Sequence, residues 1–130
     1  MKDFLLFLWE LPQNILGMIL IIITRASRVE GEVYYLTKHK MKFQVSLGRF
    51  IIFGNESVER LREFTIKHEM GHQLQSKDLG WFYLILIGIP SLIFNVYDRL
   101  FHKEWNISER FDWYYNLPWE KDANIRMKIN

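Results

Sequence analysis

Every residue between Trp81 and Tyr97 is uncharged, and the chain that must house this run has only 130 residues. A second apolar run, residues 4–23, is relieved only by Glu10, Gln13 and Asn14 among its strongly polar positions. A soluble domain of this length has little mass with which to cover two such segments. The expectation is a single membrane-anchored domain, 1–130, whose first partner is the lipid bilayer; a pair of buried core helices is the alternative. Five tryptophans and an aromatic content of 16% suit a membrane interface or a large core. The N-terminal run reads as a retained apolar anchor. Lys2 is offset by Asp3, Glu10 and Pro12 break the run, and the Thr24-Arg25-Ala26 stretch carries an arginine where a cleavage site needs small neutral residues.

Composition narrows the chemistry. With no cysteine, disulfides and thiolate metal sites are excluded, so a metal would have to sit on His, Asp or Glu. A net charge of +2 and the lack of a basic run interleaved with aromatics argue against a nucleic-acid partner.

Between the apolar runs the pattern changes twice. Residues 31–38 and 42–53 are rich in β-branched and aromatic types, and Phe43, Val45 and Leu47 alternate with Gln44 and Ser46 as in a half-buried strand. Gly48 interrupts the alternation and marks a bulge or a close backbone approach. Hairpin pairing of the two segments across "HKMK" is expected, although that link lacks strong turn chemistry. A helix follows, with Asn55 or Ser57 as its cap and Gly80 at its end. Val58, Leu61, Phe64, His68, Gly71, His72 and Gln75 fall along one face of it, so both histidines continue a buried stripe.

Residues four apart on a helix lie one turn above each other, and two imidazoles so placed can grip one ion. "HEMGH" (68–72) adds Glu69 between them, a quarter-turn from His68. A catalytic zinc takes three protein ligands and a water, and a neighbouring carboxylate removes that water's proton as it attacks a carbonyl. Zn2+ on His68 and His72 with Glu69 as general base is therefore the reading, against a structural pair of buried histidines. Gly71 would let another segment pass close to the helix.

The third ligand is expected from the 98–130 tail. His102, Glu104, Glu109, Asp112, Glu120 and Asp122 are the candidates. "PWEKDAN" has the best local context: Pro118 suits the first turn of a helix, and Ala123, three residues beyond Glu120, allows close packing. Tyr114 or Tyr115 could donate a hydrogen bond to an oxyanion, with aromatic packing as the plainer role.

The run "SLGRFIIF … IKHEMGHQLQSKDLGWFYLILIGIPSLIF … WYYNLPWEKDAN" resembles a family of small bacterial membrane proteins. Their motif is His-Glu-Tyr-Gly-His, then Gln-Ser, Leu-Gly, Tyr-Leu and Gly-x-Pro-Ser, with a late Trp/Glu/Ala-Asn element. The resemblance covers about residues 45–125. It departs at Met70, at Trp81 where proline is usual, and at Leu117-Pro118. That family is similar to gluzincin-type zinc metallopeptidases, and the resemblance implies His68, His72 and Glu120 as metal ligands with Glu69 catalytic.

A shared site imposes a topology. If residues 81–97 crossed a bilayer once, Glu120 and His72 would lie on opposite sides. Gly88 and Pro90 offer a way out, breaking the run into two short halves that form a re-entrant hairpin. All lysines and arginines except Lys2 follow the first apolar run, which places the site at the cytoplasmic face of the cell membrane. The expected protein is α+β and minimally zincin-like, a short β-hairpin or sheet plus the HExxH helix with apolar membrane-embedded helices. Its expected activity is that of a membrane-associated zinc metallopeptidase acting on a peptide or protein. The rival is a non-catalytic, zinc-stapled structural or adaptor protein.

Overall fold

The N-terminal apolar run forms an elbow. In the computed structural model, which describes residues 2–55 and 63–128, the run breaks at Glu10 into α1 (Lys2–Trp9) and α2 (Leu11–Thr24), bent by 86°. Pro12 sits in the first turn of α2, where its missing N–H costs nothing, and Glu10 takes φ −106° and ψ 22° outside the helix. Glu10, Gln13 and Asn14 are buried at the bend. Ser76 Oγ donates to Glu10 Oε1 at 2.5 Å, and Gln13 Nε2 donates to Ser76 Oγ and to the Gly80 carbonyl, each at 2.8 Å. Asn14 Oδ1 accepts the Arg49 N–H at 2.8 Å. The polar residues that interrupt the run tie it to the body of the protein. Residues 4–23 are thus two helices meeting at an elbow.

Four short strands form one sheet in the order β1-β2-β4-β3: β1 (Ser27–Arg28), β2 (Tyr35–Leu36), β3 (Gln44–Leu47) and β4 (Phe50–Phe53). The expected strand over 43–53 folds back on itself at Gly48. That residue has φ +63° and occupies the first of two loop positions, where a type II′ hairpin calls for glycine. It is also a close approach, since a Cβ there would lie 2.1 Å from Asn14 Oδ1. The hairpin is therefore β3–β4. β2 pairs with β4 in parallel, and no hairpin spans "HKMK". Ile51 and Phe53 are fully buried with Tyr34 beneath α3 (Glu63–Leu79), which contributes Ile66 and Met70.

The expected cap at Ser57 and the stripe positions Val58 and Leu61 lie outside the described residues; Asn55 gives its N–H to Thr37 Oγ1. α3 ends at Gly80, as its sequence suggests: φ is +55°, and the Trp9 ring occupies the space a side chain would need.

A 3-10 turn (Gly80–Phe82) then leads into a π-helical stretch (Leu84–Gly88) that runs directly into α4 (Ile89–Phe101). The expected hairpin at Gly88–Pro90 is not formed. Leu84–Phe101 is one helical rod, long and apolar enough to cross a membrane by length and composition. Pro90 sits at the start of α4, and the wider preceding turn, in which the Ile89 N–H reaches the Leu84 carbonyl, carries the chain past it. After the rod come α5 (Ile107–Tyr115), opened by an Asn106/Glu109 capping box, and α6 (Pro118–Arg126) with Pro118 in its first turn. Asp98 clamps α4 to α5 by accepting Arg110 at 2.7 and 3.1 Å, and it also accepts His102 Nδ1 at 2.9 Å.

Candidate metal centre

α3 presents His68 and His72 one turn apart, both buried. α6 crosses α3 at Gly71, where a Cβ would stand 2.2 Å from the Ala123 carbonyl oxygen. That backbone-to-backbone contact brings Glu120, one turn before Ala123, against the two imidazoles. Glu120 Oε1 lies 2.9 Å from His68 Nε2 and 2.9 Å from His72 Nε2, and Glu120 is fully buried. The ligand atoms of the three residues all lie within 4.8 Å of one another, so the group could hold a metal ion.

The surrounding hydrogen bonds set the protonation of the rings. Gln75 Nε2 donates to Asp122 Oδ2 (2.9 Å) and to the Trp119 carbonyl (2.8 Å), which fixes the amide's orientation. Its oxygen therefore faces His72 Nδ1 at 2.7 Å, and that nitrogen must carry the hydrogen. Neutral His72 then aims a bare lone pair from Nε2 at a carboxylate oxygen. His68 repeats the arrangement, with Nδ1 at 2.7 Å from Asn124 Oδ1. Two lone pairs and an anionic oxygen converge, an arrangement that calls for a cation at its centre, either a proton or a metal. The residues fit a metal: two nitrogens, one oxygen and an amide behind each ring.

Without metal, protons fill the role. Burial alone would push the His72 imidazolium down, but the Glu120 hydrogen bond, the Glu69 and Glu120 charges and Gln75 outweigh it and raise its pKa to about 9. Burial likewise opposes the Glu120 anion, yet the two histidine hydrogen bonds hold its carboxyl well below the usual carboxylate range. Ser91 Oγ donates to the other oxygen, Glu120 Oε2, at 2.6 Å.

Glu69 is 5% exposed and has no hydrogen-bond partner among the described residues. Burial pushes its pKa up, with His72 and His68 opposing. Such a carboxylate is suited to taking a proton from a water beside it.

The other carboxylates and His102 serve elsewhere. His102 is bound to Asp98, Glu109 caps α5, Glu104 and Asp112 are exposed, and Asp122 orients Gln75 while pairing with Arg126 at 2.7 Å. Of the two tyrosines, Tyr114 has its hydroxyl bonded to the Asn95 side chain. The Tyr115 ring stands edge-on to His68 at 4.7 Å, and among the described residues its hydroxyl has no partner. Burial and the charges of Glu69 and Glu120 raise both hydroxyl pKa values, so both remain donors.

Gln75 and Ser91 were not legible as site residues. The signal for Ser91 is present in Gly-x-Pro-Ser, whose glycine and proline read as helix breakers. Comparison with protein-family models, curated proteins and solved structures finds no match.

Proposed function

We propose that this chain is a membrane-associated zinc metallopeptidase resembling the gluzincins, with His68, His72 and Glu120 as metal ligands and Glu69 as general base. One observation carries the reading: Glu69, a carboxylate with no hydrogen-bond partner among the described residues, stands beside a buried His-His-Glu set whose lone pairs converge. A zinc ion there would supply Lewis-acid activation of water and of the scissile carbonyl. Glu69 accepts the attacking water's proton and returns it to the leaving amine. Tyr115 is the donor to the carbonyl oxygen in this reading, because among the described residues its hydroxyl has no partner while that of Tyr114 is bonded to Asn95.

The substrate is a peptide or protein. β3 is an edge strand of the sheet and suits an extended peptide, although the Tyr83 hydroxyl already donates to the Ser46 carbonyl at 3.1 Å. The excess of lysine and arginine after the first apolar run supports a site at the cytoplasmic face of the cell membrane. The rival, a zinc-stapled adaptor, has no use for Glu69 as a base.

Metal analysis of the purified chain should give one zinc per chain, lost in His68→Ala and in His72→Ala. Full occupancy in both variants would end the zincin reading. Glu69→Gln should retain zinc and fold while hydrolysis drops by several orders of magnitude, read by comparing membrane peptides in cells carrying either form. Identical peptide profiles would leave the adaptor.

A further inference from the structure

The geometry points to a monotopic protein: the α1–α2 elbow and the outer side of α4 form one apolar sole resting in a single leaflet, and none of the described helices crosses the bilayer. This rests on the membrane association proposed above. It goes further by fixing the mode of attachment and, with it, the class of substrate.

The elbow cannot cross. With 8 and 14 residues, α1 and α2 rise about 12 and 21 Å, short of the ~30 Å hydrocarbon core. The inner side of the bend is bound to α3 and to the β3–β4 loop through Glu10, Gln13 and Asn14. Its outer side leaves Phe4, Leu5, Ile22 and Ile23 between 57% and 74% exposed.

The rod from Leu84 to Phe101 has the length to cross but not the surroundings. Its outer side carries Ile85, Leu92, Ile93 and Leu100, each more than half exposed. Its inner side is fastened along its length to charged helices. Ser91 bonds Glu120, Phe94 packs on Trp119 at 5.4 Å, and Asp98 bonds Arg110. Immediately beside those contact points, exposed Lys121 and Glu109 project from α6 and α5. A rod standing upright in the bilayer would carry these charges into hydrocarbon with it. A rod lying flat, apolar side down, leaves them in water.

The two apolar surfaces join. Trp81 Nε1 donates to the Leu8 carbonyl and Trp9 Nε1 to the Lys77 carbonyl, both at 2.8 Å, so α1 abuts the start of the rod. Exposed Arg25, Arg28 and Arg99 lie at the ends of these helices, while exposed Lys2 and Lys103 are each followed by an exposed acid, Asp3 and Glu104. A cationic rim of this kind matches anionic headgroups better than it matches a second copy of the same surface. With Ser91 on Glu120, the metal centre sits directly behind the rod, about one helix thickness from the sole. Peptide bonds in the headgroup zone, on juxtamembrane or lipid-anchored polypeptides, are then the substrates within reach; bonds at mid-bilayer are not.

The chain has no cysteine, so single spin labels can be placed at Ile85→Cys, Leu92→Cys and Leu100→Cys, with zinc binding as the check on folding. Each variant is reconstituted into phosphatidylcholine vesicles with and without phosphatidylglycerol. Depth is read from relaxation by oxygen against a water-soluble nickel chelate. All three labels should report one shallow depth, with attachment strengthened by the anionic lipid. A profile that is deep at Leu92 and shallow at both ends overturns the monotopic mode while leaving membrane association standing. Zinc-loaded protein that does not float with either vesicle overturns the membrane association itself. Spin–spin broadening at Leu92 without oxygen exposure assigns the surface to a second copy and overturns the proposal.

Discussion

At His72, the contacts that ready the imidazole for a metal also ready it for a proton. In metal-free protein its pKa is raised from 6.5 to about 9. The stability contributed by its pairing with Glu120 is therefore complete below its ordinary pKa and lost as pH rises through about 9. Chelator-treated protein should melt at lower temperature above pH 9 than near neutrality, and His72→Gln should abolish that part of the slope. Zinc has to displace the same proton, so its affinity should climb across this window. A flat melting profile in chelator would refute the pairing. Gln75 offers a sharper test, because it touches the ring and not the ion. Gln75→Leu keeps bulk but removes the acceptor for His72 Nδ1–H, and zinc should bind about 10–100-fold more weakly in a chelator-competition titration. Unchanged affinity would show that the amide does not orient the ligand.

Between elements, the decisive contact is Gly71 of α3 against the Ala123 carbonyl of α6. Gly71→Ala should wedge the helices apart, costing about 1–3 kcal/mol in denaturant unfolding and weakening zinc more than a surface change on α3 does. Both residues were readable in advance, since a glycine inside the motif and an alanine one turn from Glu120 are small side chains where large ones would be unremarkable. The helical spacing of His68, His72 and Gln75 and the stop at Gly80 were equally visible, because each is local. What escaped was non-local. Pro90 ends helices as a rule, and only the wider turn from Leu84 to Gly88 lets the rod continue past it. The parallel pairing of β2 with β4 involves strands too short to carry a period. Glu10, Gln13 and Asn14 needed partners that the sequence does not reveal, because Ser76, Gly80 and Arg49 lie far along the chain.

For the molecule as a whole, the His68–His72–Glu120 cluster joins the middle of the chain to its C-terminal part, so α3 and α6 must share one side of any membrane. Single cysteines at Lys67 and Lys121, treated on intact cells with a membrane-impermeant thiol reagent, should behave alike, and the charge bias predicts that both stay unlabelled until the membrane is opened. Labelling of one alone would separate Glu120 from the histidines and dismantle the site. The elbow carries a further consequence, for biosynthesis. Its hydrogen-bond partners are 35 residues away for Asn14, 66 for Glu10, and 63 and 67 for Gln13. A ribosome extends the chain at about 5–20 residues per second, so this apolar segment emerges seconds before the residues that will satisfy its polar groups. Until Ser76 and Gly80 arrive, Glu10 and Gln13 are without these partners, and for that interval the fate of the elbow depends on whatever receives it.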